Sequence, residues 1–343
     1  MLLLNKAESL INAIIARIDR ISKPRQKFIQ HLLILYMGLR GKYNFINMAR
    51  YGVFNEKTYR NQMEKPFDWA GFNAELVRSH CSKELILAYD PSYLPKSGKK
   101  TPNVGNFYSG TAQRVKRGIE IGCMAIIDVE NGTGFSLEAV QTPITPKGLN
   151  REESSVIHHL NVVLERATEI ESLGIEVGVF DGYFAKSSFV NGITDNSNLE
   201  VISKLRPDAN LRYLYSGPKH EGRGRPKLYE GKVNTRFIDR RRIRFCFAID
   251  EDTHVFSGPV YSISLKRIVR IVYIEHYGND GYADGHAILF STDLSLDPGK
   301  IYLYYKQRFQ IEFLFRDAKN FAGLEQCQAR SAQKINFHHR FSR

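Results

Sequence analysis

ELILAYD (Glu84–Asp90) and IEVGVFD (Ile175–Asp181) decide how this chain is read. Each is a short, nearly continuous apolar run, and each stops at an aspartate. Such runs suit strands covered on both faces rather than half-exposed strands, which alternate. Covered strands of this kind pair in parallel beneath helices, and ligands gather outside their carboxyl ends. Asp90 and Asp181 are therefore the first candidate site residues.

Between these runs, GIEIGCMAIIDVENGTGFSLEAVQTPI (residues 118–144) reads as two strands joined at Asn131-Gly132, a strong hairpin signal. REESSVIHHLNVVLERATEIESLG (residues 151–174) reads as one helix ending at Gly174. The order strand, strand, strand, helix, strand predicts an α/β fold, a mixed sheet packed against helices. Upstream, Ile11, Ile14, Ile15 and Ile18 recur at helical spacing, and HLLILYMGLRG (residues 31–41) is a second apolar helix. NFINMARYGVFNEKTYRNQMEK (residues 44–65) predicts a short helix, a turn at Gly52 and a second helix capped near Asn55. That is a helix-turn-helix pattern with Lys57, Thr58, Arg60 and Asn61 placed to meet DNA. Downstream, RFCFAI, HVFSGPVYSISL and RIVYIEH are short alternating runs that predict antiparallel strands, with the basic loop SGPKHEGRGRPKLYEGK before them. HAILFSTD (residues 286–293) returns to the buried texture. The expected organisation is a helical DNA-binding domain at 1–80, the first part of a core at 81–199, a basic β-rich insertion at 200–285 and the last part of the core at 286–343.

The 343 residues carry a formal charge of +13, and the pI is near 9.5, which points to a polyanionic partner such as nucleic acid. No apolar run reaches the roughly 18 residues of a membrane span. MLLLNKAESLINAIIARIDR is interrupted by charges and reads as an amphipathic helix rather than a secretory leader. Cys81, Cys123, Cys246 and Cys327 lie far apart, a spacing that suits neither zinc nor a disulfide framework and points to a reducing cytoplasm. His158-His159 and His338-His339 diverge around a helix, which favours packing over zinc. Gly222, Gly224 and Lys227 lack the spacing of a phosphate-binding loop, so no nucleotide cofactor is expected.

YYKQRFQIEFLFRDAK (Tyr304–Lys319) supplies a third carboxylate. On a helix at about 100° per residue, Tyr305, Arg308, Glu312 and Lys319 share roughly one sixth of a turn, while Leu303, Ile311, Leu314 and Ala318 can face a core. Alone, Arg308 and Glu312 would be a solvated ion pair worth a few tenths of a kcal/mol. Beside two strand-end aspartates, Glu312 completes an all-oxygen set of the kind Mg²⁺ takes. Three clustered carboxylates repel one another without a cation.

The spacing Tyr305, two residues, Arg308, three residues, Glu312, six residues, Lys319 resembles the signature of DDE transposases of the IS4 group. AYDPSYLPKSGKKT around Asp90 and GVFDGYFAK around Asp181 resemble the same family's aspartate regions, and the resemblance runs over roughly residues 40–335. It implies a ribonuclease-H-like catalytic core interrupted by the β-rich insertion and preceded by the all-helical domain. It implies that Asp90, Asp181 and Glu312 are catalytic and hold two Mg²⁺ ions, with Mn²⁺ as a substitute. Water would cut the transposon end to a 3′-OH, which would then attack target DNA. Tyr305, Arg308 and Lys319 would hold phosphates of double-stranded DNA, and the protein would act as a homodimer on transposon ends and target DNA in the bacterial cytosol. Lys96, Lys99 and Lys100, in the loop after Asp90, and Arg240, Arg241 and Arg242, with Arg236 and Arg244, are further candidates for the DNA backbone, as is Arg60. Relatives continue as helix where this chain stops at INFHHRFSR, so the alternative expectation is a catalytically idle or truncated DNA-binding remnant.

Overall fold

Asn44 and Asn55 begin two short helices by accepting the backbone N–H of Asn47 and Thr58, the standard way an N-cap side chain satisfies a helix's first donors. The computed structural model describes residues 2–18, 21–98, 100–218, 227–278 and 282–342. The N-terminal helices are α1 (Leu2–Ile15), α2 (Lys23–Gly38), α3 (Phe45–Tyr51), α4 (Glu56–Gln62) and α5 (Trp69–His80). Ile11, Ile14 and Ile15 are buried, in keeping with the spacing. A bulky side chain at the turn residue Gly52 would collide with Tyr59.

The sheet begins with β1 (Leu85–Pro95), β2 (Gly105–Ser109), β3 (Arg114–Asp128) and β4 (Thr133–Gln141). Helices α6 (Arg151–Leu164) and α7 (Ala167–Ser172) lead to β5 (Val177–Phe180), α8 (Ser187–Asn196) and β6 (Glu200–Leu205). Then come β7 (Leu211–Leu214), β8 (Tyr229–Lys232), β9 (Arg244–Asp250), β10 (Thr253–Ser262), β11 (Arg267–Tyr277) and β12 (Ala283–Ser291). The chain closes with α9 (Pro298–Gln307), α10 (Gln310–Phe321) and α11 (Ala332–Phe341). These strands form one mixed sheet in the order β2-β3-β1-β5-β6-β12-β11-β10-β7-β8, with β4 on β3 and β9 on β10. β1, β5 and β6 are parallel neighbours, and β3 runs antiparallel to β1. This mixed α/β arrangement is consistent with a ribonuclease-H-like core. The strands after β6 continue the same sheet through β12, which pairs with β6.

Helices cover both faces. Leu87 and Tyr89 of β1 pack with Val156, Val163, Phe184 and Phe189 on one side. Ile86 and Ala88 pack with Ile301, Ile311, Phe315 and Ala318 on the other. A separate core joins α1–α5 to α11, where Trp69 lies 5.3 Å from the Phe337 ring and 5.2 Å from Phe341.

Several sequence expectations need correction. Residues 151–174 are two helices, not one, because Arg166 breaks the run to reach buried Glu138 at 2.8 Å. β1 does not end at Asp90: it continues to Pro95 along β3, with Asp90 opposite Cys123. What ends there is its parallel partner, since β5 stops at Phe180, opposite Tyr89. The third is the helix at 304–319, described below.

Asp128 locks the β3–β4 hairpin. Its carboxylate accepts from Ser82 N (2.8 Å) and Oγ (2.7 Å) and from Asn131 N (3.1 Å) and Nδ2 (2.8 Å). Burial opposes its ionisation, but these donors outweigh burial and hold the carboxyl down at about 2. A depressed carboxyl contributes stability that is present at neutral pH and lost as pH falls through the folded value. The urea midpoint is therefore expected to decline between about pH 4 and about pH 2, and Asp128→Asn to lack that part of the decline. Asp128→Ala is expected to cost about 2–3 kcal/mol, because it strands buried donors.

Candidate active site

Strand parity aims the aspartates. Ile86 and Ala88 of β1 face α9 and α10, so Asp90, two positions on, continues that row. Val177 and Val179 of β5 face the same side, and Asp181 follows them just past the strand. Beyond Tyr89–Phe180 the parallel ladder is gone, so the edge of β1 opens into a cleft. Asp90, Asp181 and Glu312 all line that cleft, with Ser92, Arg316, Lys319 and Asn320.

The predicted single helix is two. α9 ends at Gln307 and α10 starts at Gln310, with bonds from Ile311 N to Arg308 O (3.1 Å) and from Glu312 N to Phe309 O (3.0 Å) tightening the turn between them. Ile301 and Tyr304 are buried in α9 and Ile311, Phe315 and Ala318 in α10, and the break lets the two helices pack on different strands of the sheet. Leu303, expected to face the core, is exposed because α9 docks through Ile301 and Tyr304 instead.

Arg308 sits at the corner with its side chain largely buried, 3.7 Å from Glu312 Oε1. Its Nε is buried without a hydrogen-bond partner among the described residues, and its guanidinium carbon is 5.8 Å from the Tyr305 ring centre. Burial pushes the Tyr305 phenol up, Arg308 opposes that rise, and Asp181 adds to it. Tyr305 thus feels both the Arg308 cation and the Asp181 carboxylate. Lys319 stands at the other end, 3.4 Å from Ser92 Oγ and 3.9 Å from Glu325.

Chemically, the three acids offer only hard oxygen donors, which fits a divalent cation of the Mg²⁺ type. Among the described residues no three His, Cys, Asp or Glu side chains are grouped tightly enough to hold an ion. Glu312 is exposed and turned to Arg308, so a ligand set would need its side chain to swing toward the aspartates.

A family model for the transposase DDE domain matches residues 156–338, just over half of the chain. The chain belongs to the transposase DDE domain family. No curated protein matches it. The matched stretch carries Asp181, Glu312 and the α9–α10 corner, but it begins downstream of Asp90. The β1–β5 pairing and the packing of α10 on β1 join Asp90 to the matched region. Transposase-type chemistry on DNA is the activity class of this family, and no helix among the described residues is long and apolar enough to cross a membrane.

Most other candidates have partners of their own. Lys96 donates to the Cys327 carbonyl, so its ammonium is engaged at the start of the C-terminal segment. Lys100 is exposed, and Lys99 lies outside the described residues. Arg60 pairs with Glu56 at 2.7 Å and stacks over Phe45 at 4.5 Å. Arg240 pairs with buried Glu275 at 2.6 Å and stacks 3.9 Å over Phe256. Arg242 pairs with Glu230 at 2.6 Å, whereas Arg241 is exposed. His159 is buried with Nδ1 2.7 Å from Tyr89 Oη. His338 is buried against the Gly323 carbonyl at 3.0 Å, and burial pushes it down to about 4. Both histidines pack. Arg316, which lines the cleft one turn beyond Glu312, was not singled out from sequence, although its i+4 spacing from Glu312 was a usable signal.

Arg240→Ala is expected to destabilise the protein by about 3 kcal/mol, since it leaves buried Glu275 without its cation. Arg241→Ala is expected to leave the melting temperature unchanged. Thermal unfolding of the two variants checks the distinction.

Proposed function

We propose that the chain is an insertion-sequence transposase of the IS4 group that cuts transposon ends and joins them to target DNA. The observation that carries this reading is that Asp90, Asp181 and Glu312, from two parallel strands and a helix, line one cleft in a chain of the transposase DDE family. In this reading the three carboxylates hold two Mg²⁺ ions, with Mn²⁺ as a substitute. The ions, when bound, supply charge stabilisation for the attacking and leaving oxygens. The protein's own part is positioning. Arg308 offers a planar fork to a phosphate near Asp181, and Tyr305 a hydroxyl beside it. Lys319 supplies a point charge near Ser92, so the scissile strand is gripped on both sides of the acids. Hydrolysis breaks one phosphodiester P–O bond and leaves a 3′-OH on the transposon end. That hydroxyl then attacks a target phosphodiester and displaces another 3′-oxygen.

The helix-turn-helix side chains Lys57, Thr58, Arg60 and Asn61 and the basic segment around Arg241 would carry duplex DNA to this cleft. A homodimer on paired ends and a place in the bacterial cytosol, on the nucleoid, belong to the same proposal.

Glu312→Gln keeps the side chain's shape but removes a negative ligand. It is expected to abolish most Mg²⁺-dependent nicking of end-containing duplex while leaving end binding intact. Lys319→Ala is expected to weaken end binding. Equal nicking by Glu312→Gln and the unmutated chain would reduce Glu312 to a surface ion pair. Binding without nicking in either Mg²⁺ or Mn²⁺ would leave a DNA-binding protein without catalysis. Arg241→Ala is expected to lower the slope of log affinity against log salt by about 0.9, one phosphate contact. An unchanged slope in filter-binding titrations returns Arg241 to the plain surface.

A further inference from the structure

Past the carboxylates the sheet narrows to a two-stranded ribbon. β1 leaves β3 at the Pro95–Gly118 pair, and β4 joins β3 only from Ile121. Outward of Gly118, among the described residues, β3 pairs with β2 alone, through five residue pairs from Gly105–Gly118 to Ser109–Arg114. Strand parity fixes what this ribbon shows. Ile121 and Ile119 of β3 face the α10 side, the side of Asp90, so Arg117 and Val115 continue that row. Opposite them stand Asn106 and Tyr108. The other face is docked: Phe107 is buried, with the Arg151 guanidinium carbon 5.4 Å from its ring centre.

Two features set the open face apart from an ordinary solvated strand pair. Tyr108 is 59 % exposed and Val115, its cross-strand partner, 58 %, although a facing aromatic and β-branched pair is what a sheet normally buries. The cations around them are also uncommitted. Arg114, Lys116 and Arg117 are exposed, and among the described residues none of them forms an ion pair. Residues 105–118 contain no aspartate or glutamate. Arg60, Arg240 and Arg242 each have a carboxylate partner instead. The ribbon is continuous with the site: Asn106, Tyr108 and Val115 line the same cleft of about 1630 Å³ as Asp90, Asp181 and Glu312.

We infer that the β2–β3 ribbon is a platform for an unpaired DNA strand leaving the carboxylates. Arg117, flanked by Arg114 and Lys116, takes phosphates, and the Tyr108 ring stacks on a base. Five strand residues at about 3.4 Å each match roughly four nucleotides of one strand at about 3.4 Å per phosphate. With its other face docked, the ribbon is a flat surface rather than an insert for a duplex groove, which favours one strand over two. The inference rests on the proposed action of the cleft on DNA and adds the path of the strand outside it.

Anisotropy of labelled DNA without divalent metal tests it, since no cutting then intervenes. The probes are a blunt duplex and the same duplex with an unpaired tail of about ten nucleotides. Tyr108→Ala is expected to weaken binding of the tailed probe roughly tenfold and of the blunt probe little, and Tyr108→Phe to bind both as the unmutated chain does. Arg114→Gln, Lys116→Gln and Arg117→Gln together are expected to lower the slope of log affinity against log salt on the tailed probe by about 2, at about 0.7 per phosphate of a single strand. All four side chains are exposed, so the melting temperature is expected to hold in every variant. Equal effects of Tyr108→Ala on the two probes, or an unchanged salt slope in the triple variant, overturn the platform. Nicking in Mg²⁺ is read separately. Tail-dependent binding by a chain that never nicks removes the proposed chemistry and keeps the platform, whereas nicking without tail-dependent binding does the reverse.

Discussion

The parallel pairing of β1 with β5 is the constraint on which the site depends. It runs from Leu87–Gly178 to Tyr89–Phe180 and then stops. On the other edge β1 stays in register with β3 as far as Pro95. Asp90 is therefore held by a continuing ladder on one side and open on the other. Two glycines make the pairing possible. A side-chain carbon at Gly178 would meet the Phe180 ring at 2.6 Å, and one at Gly122 would meet Tyr89 Oη at 2.0 Å. The Tyr89 side chain can then pass Gly122, and its hydroxyl shares a hydrogen bond with His159 Nδ1. The residue before Asp90 is thus fixed by packing rather than by the site.

The α9–α10 corner depends on the same strand. Lys300 and Tyr304 of α9 both reach Glu84, at 2.9 and 2.7 Å, at the foot of β1. α10 packs Ile311, Phe315 and Ala318 on the row that contains Ile86 and Ala88. The strand that carries one acid is therefore the reference for the helix that carries another. α9 packs on β5, β6, β11 and β12 whereas α10 packs on β1, β3 and β4, and the tightened turn at Arg308 carries the chain from one part of the sheet to the other. Arg308 is left at the corner, beside Glu312 and the Tyr305 ring.

Basic residues divide into those that hold the fold and those that face water. Arg240 and Arg166 satisfy buried glutamates, and Lys96 satisfies a carbonyl. Arg241 and Lys100 are exposed. Net charge predicts a polyanion partner because fields sum over the whole surface. It does not say which side chain touches the partner, since a long cation near a buried acid is drawn inward.

What the sequence determined by itself was local or strongly spaced. The apolar runs before Asp90 and Asp181, the Asn55 cap, the Asn131-Gly132 hairpin and the Tyr305–Lys319 spacing depend on neighbours within a turn or a strand, and such patterns are written in adjacent residues. The tertiary structure decided what depends on distant partners. The continuation of β1 past Asp90 follows from β3, the break at Arg166 follows from Glu138, and the corner at Arg308 follows from two faces that bury against different parts of the sheet. The strands β2, β6, β7 and β8 also went unread, being short segments whose ladders come from elsewhere in the chain. Arg25 is the extreme case. In sequence it is one of many arginines near a helix start, and only the closing of α11 over α2 removes it from water and leaves it held by the carbonyls of Gln62, Lys65 and Pro66.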